Sequence, residues 1–182
     1  ISIDTFHSVV AEKAVLSGAN IINDVSAGAF DREIMDVAAA YDVPYVLMHM
    51  RGTPETMQKM TEYEDVVAEV FDFLAGKLEV LRSKGVKDVV IDPGLGFAKK
   101  MEHNYRILRE MAMFSILGCP ILIGLSRKAM LWRLLDITPE EALNATTAMN
   151  MVALIQGAAI LRVHDVREAK QTITLYRQWA NA

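Results

Sequence analysis

Apolar positions along the chain follow two alternating rhythms. Short apolar runs at Ile1 to Ile3, Ile21-Ile22, Pro44 to Met48, Val89 to Ile91, Ile121 to Gly124 and Ile160 to Val163 predict buried strands. Between them, segments at about residues 7 to 17, 31 to 41, 61 to 84, 102 to 113, 139 to 157 and 166 to 180 carry apolar residues near the 3.6-residue helical period. Each strand is followed by a helix, the order that builds a parallel sheet from βα units. Helix starts are expected at Asp31 before Glu33-Ile34, at Thr61 before Glu64, and at Thr138 with Pro139 behind it. Gly18, Gly85 and Gly118-Cys119-Pro120 mark the breaks that return the chain to a strand.

A polar residue stands just past the apolar part of nearly every strand: Asp4, Asn23, His49, Asp92, Ser126 and His164. A (β/α)8 barrel gathers its functional groups from the C-terminal ends of several strands, whereas an open doubly wound sheet concentrates them at a switch-point crevice. The expected fold is therefore α/β, a TIM (β/α)8 barrel of which the chain supplies about six βα units, strands 3 to 8, as a single domain over residues 1–182. The opening Ile1-Ser2-Ile3-Asp4 reads as a strand already under way, so the barrel is expected to lack about two N-terminal units.

Composition narrows the function classes. At 182 residues, 52% hydrophobic and 23% charged, with a mean hydropathy of +0.21, the chain has the makeup of one globular domain. No apolar run approaches the roughly 20 residues that span a bilayer, so no membrane partner is expected. A net charge of -4 and a pI near 5.6 argue against a nucleic-acid surface, which needs a basic excess, so any anion must be met locally. The single Cys119 permits no internal disulfide and no cysteine zinc site; it suits a reducing cytoplasm and is expected as buried filler. The eleven methionines fall mostly in helical stretches, where Met fills core gaps.

The polar strand ends also suggest a chemistry. In Asp92-Pro93-Gly94-Leu95-Gly96 the proline stops the ladder and the glycines let backbone approach a flat ligand, while the carboxylate can accept two parallel N–H bonds from an amidine-like edge; a plain turn is the competing reading. Asp4 and Asn23 repeat the plan on two neighbouring strands, and the three groups together suit several edges of one polar heterocycle. Ser126-Arg127-Lys128 opens a helix after the fifth strand, and its two cations at that helix start form a candidate anion site. Arg162 and His164, two apart on a strand, share a side and extend that site. His7 and His103 read as surface helix residues.

Asp4-Thr5, Asn23 to Ala27, Met48 to Pro54, Asp92 to Lys99, Ser126-Arg127-Lys128 and Arg162 to Val166 resemble, in order and end to end, the motifs of the dihydropteroate synthase family, folate-pathway enzymes inhibited by sulfonamides. The resemblance implies condensation of 6-hydroxymethyl-7,8-dihydropterin pyrophosphate with p-aminobenzoate, with Mg²⁺ as cofactor and pyrophosphate released, in a cytoplasmic homodimer. It makes Asp92 the bidentate acceptor of the pterin edge, with Asn23 and Asp4 reading the remaining ring nitrogens, and Met48, Phe97, Gly124, Lys128 and Arg162 completing the pterin site. Phe97, Lys128 and Ala129 would take p-aminobenzoate, and Arg162 and His164 the pyrophosphate. Asp4, Lys128, Arg162 and His164 would be the catalytic set, Asp4 stabilising a pterin cation left when pyrophosphate departs.

Two departures accompany the resemblance. Ala129 stands where the family carries Ser, removing one hydroxyl donor to the p-aminobenzoate carboxylate. The first strand with its Mg²⁺-binding Asn loop, and the second loop that closes over p-aminobenzoate, are both expected to be missing, so no metal ligand is assigned in this chain and the chain alone is expected to be inactive. The alternatives are a methyltetrahydrofolate corrinoid methyltransferase, which shares the acidic and Asn pterin readers but does not call for the Ser-Arg-Lys and Arg-x-His groups, and a non-catalytic pterin-binding fragment. The apolar helix faces near Leu175-Tyr176 and Trp179 would serve core or dimer contact.

Overall fold

Strands β1 (Ser2–Asp4), β2 (Ile21–Asp24), β3 (Tyr45–Met48) and β4 (Val89–Asp92) form one parallel sheet in chain order, and β5 (Leu122–Ile123) pairs in parallel with β6 (Ile160–Leu161). A parallel bridge between Ile91 and Ile121 joins the two sets. The computed structural model describes residues 1–53 and 55–182, and across these the strand order never reverses. That is single winding; a doubly wound sheet reverses at its switch point. Registers pair Asp4 with Asn23 and Met48 with Asp92, so the C-terminal strand ends align along one rim.

The sheet is strongly curved. β2 and β6 lie four strand spacings apart, about 19 Å in a flat sheet, yet the Arg162 guanidinium just beyond β6 sits 3.3 Å from Asn23 Oδ1 on β2. Side chains of that length meet only if the sheet curls toward its concave face.

The helices are α1 (Ser8–Leu16), α2 (Glu33–Ala40), α3 (Val66–Ser83), α4 (Met101–Arg109), α5 (Ala129–Leu135), α6 (Leu143–Ile155) and α7 (Val166–Ala180). α3 shows why they pack: Val66, Val67, Val70, Leu74, Leu78 and Leu81 are buried along one stripe. Together with Ile22, Leu47, Ile91, Ile107 and Phe114 they form a continuous core, each fully buried large side chain contributing about 1.5–3 kcal/mol. At the two outer strands the cover thins, leaving Ile1 and Ile160 exposed.

Several boundaries differ from expectation for local reasons. α3 begins at Val66, not Thr61, because Asp65 caps it, accepting from Val67 and Ala68 N–H at 3.0 and 3.1 Å, while Glu69 accepts from the N–H groups of Glu64 and Asp65. The segment from 102 to 113 splits into α4 and a 3-10 stretch, Met111–Leu117, that ends on left-handed Gly118. α6 starts at Leu143 because Glu141 accepts both the N–H and the hydroxyl of Thr138, closing a separate turn. The short α5 is the helix expected to open at Ser126-Arg127-Lys128, with Lys128 at its N-cap. Cys119 is half-buried rather than filler, and Leu175 and Trp179 are exposed, so they are not core. His103 packs edge-on against Tyr63 at 5.3 Å instead of facing solvent alone.

Candidate active site

Asp92 closes β4 with its carboxylate buried at the rim. Oδ1 accepts the Gly94 N–H at 2.8 Å and Oδ2 accepts from Arg162 at 2.8 Å. Gly94 is obligatory: its φ is +69°, and a Cβ there would run into the His49 carbonyl oxygen. Arg162 also donates to Asn23 Oδ1, and Asn23 Nδ2 donates to Asp4 Oδ1 at 3.1 Å. Gly124 leaves the space for this, since a Cβ there would stand 3.0 Å from the guanidinium. Asp4, Asn23, Arg162 and Asp92, from four strand ends, therefore form one continuous polar line across the concave face.

Beside it lies a second pocket. Lys128 stands 4.7 Å from the Phe97 ring centroid and donates to the Leu95 carbonyl. Burial lowers its pKa to about 8, with Arg162 pushing the same way and the Asp92 charge opposing. A cavity of about 470 Å³ opens here, lined by Met57, Gln58, Phe97, Lys128, Ala129 and Arg133 among others. Met57 and Gln58, from the 3-10 turn Met57–Lys59 after β3, form one wall of this cavity. Pro54 of the Met48 to Pro54 motif lies outside the described residues.

Not all predicted groups converge. Arg127 is held by Asp165 in a two-bond ion pair at 2.7 and 3.1 Å, which turns it away from any anion. The paired-cation site expected at the Ser126-Arg127-Lys128 helix start thus reduces to Lys128. His164 accepts or donates through Nδ1 at Ser126 Oγ, 2.9 Å, and its N–H donates to the same oxygen. Arg162 points to Asp92 and Asn23, and no hydrogen bond joins it to His164 among the described residues. Met48 is buried beside Asp92 in register.

Three groups escaped prediction. Asp24, fully buried, accepts from Ser26 N–H and Oγ, Gly28 N–H and Tyr45 OH, fixing the loop behind Asn23. Arg51 lies 3.8 Å over the Tyr63 ring and pairs with Glu69 at 2.5 Å, while Tyr63 OH donates to the Ala98 carbonyl. Lys99 is buried against His49, and burial with the Lys99 and Arg51 charges pushes the His49 imidazole down to about 2. A lysine after a glycine-rich turn reads as solvated; only the partners 50 residues away reveal otherwise.

The family model described as pterin binding enzyme matches residues 1–164. The chain belongs to the pterin-binding enzyme family. A dihydropteroate synthase from Synechocystis sp. is 41% identical over 174 residues, covering 94% of this chain and 60% of that relative. The chain thus spans about three fifths of the length of this curated relative. Among solved structures, dihydropteroate synthase from Thermus thermophilus in complex with 6HMPPP superposes with a TM-score of 0.93 at 39% identity, covering 97% of this chain and 71% of that one. The same enzyme in complex with 4-aminobenzoate gives a TM-score of 0.93, covering 97% and 69%. Pterin-binding relatives at this similarity share the α/β architecture with parallel strands. Among the described residues no helix is long and apolar enough to cross a membrane.

Proposed function

We propose that the protein is a dihydropteroate synthase, joining 6-hydroxymethyl-7,8-dihydropterin pyrophosphate to p-aminobenzoate and releasing pyrophosphate. The observation that carries this reading is the polar line Asp4–Asn23–Arg162–Asp92, drawn from four strand ends onto one curved face. It offers acceptors, an amide and a cation, the groups that suit a pterin edge and its charged tail. The relatives named above, with their pterin and 4-aminobenzoate complexes, support the substrate choice.

In the proposed reaction the pterin's amino-pyrimidinone edge bonds to Asp92 and takes over Oδ2 from Arg162, whose freed guanidinium then faces the pyrophosphate. The bond between the 6-methylene carbon and the pyrophosphate oxygen breaks, and its electron pair leaves with pyrophosphate. Asp4, on the rim beside Asn23, stabilises the positive charge spread over the ring. The aniline nitrogen, held in the cavity by Phe97 and Lys128 with Ala129 at its margin, forms the new C–N bond and loses one proton. Met48, Phe97 and Gly124 line the pterin slot, and His164, oriented by Ser126, completes the pyrophosphate end.

Mg²⁺ is proposed as cofactor, but these residues do not hold it alone: among the described residues no group of three or more His, Cys, Asp or Glu is arranged for a metal. The ion would arrive on the pyrophosphate, and no step above depends on it. The fold is proposed as six units, strands 3 to 8, of a TIM barrel. A cytoplasmic homodimer is proposed, supported by the lone cysteine and by exposed Leu134, Leu135 and Ile155 on α5 and α6. The test is dihydropteroate formation from the two substrates, together with fluorescence titration of the pterin pyrophosphate. For these 182 residues by themselves binding without turnover is expected, and turnover is expected when they form part of a protein of the relatives' length. Binding with no turnover in the longer protein would leave a pterin-binding protein, and absence of both would overturn the proposal.

A further inference from the structure

Lys99 is 6% exposed and ends the turn that carries Gly94, Gly96 and Phe97. A lysine ammonium has three N–H donors, and each has a partner: Gly94 O at 2.9 Å, Phe97 O at 3.0 Å and His49 Nδ1 at 2.8 Å. Burial holds His49 neutral, so Nδ1 either accepts from the ammonium or, as the other tautomer, donates to the lone pair of a neutral amine whose two N–H groups serve the two carbonyls. The turn so held anchors Asp92 through the Gly94 N–H and presents the Phe97 ring to Lys128.

We propose that Lys99 is a positioning residue: its side-chain nitrogen fastens the Gly94–Phe97 turn to His49, sets Asp92 and Phe97 for the ligand, and holds the turn most firmly once it has lost its proton. The ligand readout rests on the proposed pterin site, whereas the clamp is a property of the turn itself.

The groups facing Lys99 are Asp92 on β4, His49 and Arg51 after β3, Lys128 before α5, and Tyr63, whose hydroxyl bonds to Ala98 and whose ring contacts His103 of α4. Burial brings Lys99 down to about 7; Asp92 opposes this, and Lys128 and Arg51 add to it. A lysine in the open, solvated turn keeps its proton up to about its ordinary value of 10.5, so proton binding favours the open turn and the clamp tightens as pH rises above about 7.

The ligand test titrates 6-hydroxymethylpterin pyrophosphate into wild type and Lys99→Met from about pH 6 to 9. At the alkaline end the variant is expected to bind about tenfold more weakly or worse, the size of a lost hydrogen bond. The ratio of the two dissociation constants is expected to grow above neutrality, the titrations of the ligand and of Lys128 being common to both proteins. Equal affinities at the alkaline end, or a ratio that does not change with pH, would overturn the proposal. Hydrogen exchange of unliganded wild type tests it without the variant. Protection at the Gly94, Gly96 and Phe97 amides is expected to rise through neutrality relative to the β4 amides, after correction for intrinsic exchange. Unchanged relative protection would refute the clamp even if the variant failed to fold. A wild type that binds no pterin pyrophosphate at any pH would instead remove the functional reading, with exchange still deciding the clamp.

Discussion

Arg162 reaches Asp92 across 70 residues of sequence, donating at 2.8 Å to a carboxylate oxygen that is otherwise buried. This contact fastens the end of β6 to the end of β4 and occupies the oxygen that the pterin would take. Arg162→Met leaves Oδ2 without a donor, at a cost of about 1–3 kcal/mol. Chemical unfolding is expected to show that loss, together with weaker pterin pyrophosphate binding; unchanged stability would mean that water replaces the guanidinium without penalty.

Ala129 borders the cavity beside Lys128 and Phe97 but has no hydroxyl to offer. Ala129→Ser adds one donor, worth about 0.5–1.5 kcal/mol for a neutral hydrogen bond and up to about 3 kcal/mol if the p-aminobenzoate carboxylate receives it. The KM for p-aminobenzoate is expected to fall by roughly twofold to tenfold, with the pterin KM unchanged. A p-aminobenzoate KM that stays the same would place the carboxylate elsewhere.

Stability and the closed form of the Gly94–Phe97 turn are expected to strengthen together as pH rises. The pKa of Lys99 is about 7 in the fold, against 10.5 for an ordinary lysine. Between those values the unfolded chain binds the extra proton, so this group's contribution to stability rises as pH increases from about 7 to 10.5 and is lowest below that window. Lys128, lowered to about 8, acts in the same sense over the upper part of the range. Denaturant unfolding of wild type and Lys99→Met from pH 6 to 10 should show the wild type gaining stability relative to the variant. A parallel pair of curves would contradict the shift.

Tyr45 lies fully buried on β3 with its hydroxyl 2.5 Å from Asp24 Oδ2, and burial together with that negative charge pushes the phenol far above its ordinary value. Tyr45→Phe removes one of four donors from a carboxylate that has no access to water. A loss of about 1.5–3 kcal/mol is expected, measurable as a lower denaturant midpoint at unchanged slope. A change in slope would show that the loop behind Asn23 had come apart in the native state as well.

Local chemistry made much of this protein legible. Apolar runs at Ile21-Ile22 and Val89 to Ile91 and the helical stripe through Val70, Leu74 and Leu78 each have a period that admits one element. The polar residue that ends each strand likewise places Asp4, Asn23 and Asp92 on one rim, because parallel strands of similar length align their ends. Boundaries were less legible where two caps competed: Asp65 prevails over Thr61 because Glu69 satisfies the N–H groups just ahead of it, a contact visible only once the turn has formed.

The partners of the charges were decided by tertiary structure alone. Arg127 and Lys128 are adjacent, yet one is held by Asp165 from the next unit and the other turns toward Phe97 and Leu95. Arg162 and His164 share a strand side, yet the first crosses to Asp92 and the second bonds to Ser126. Lys99 meets His49 only because β4 pairs with β3, Met48 opposite Asp92, and the turn after β4 folds back over the end of β3. Hydrophobic periodicity is a property of a segment, so sequence alone determines where elements form and which rim carries the polar groups. An ion pair depends on the distance between segments, and here the curvature of the closed-in sheet sets that distance.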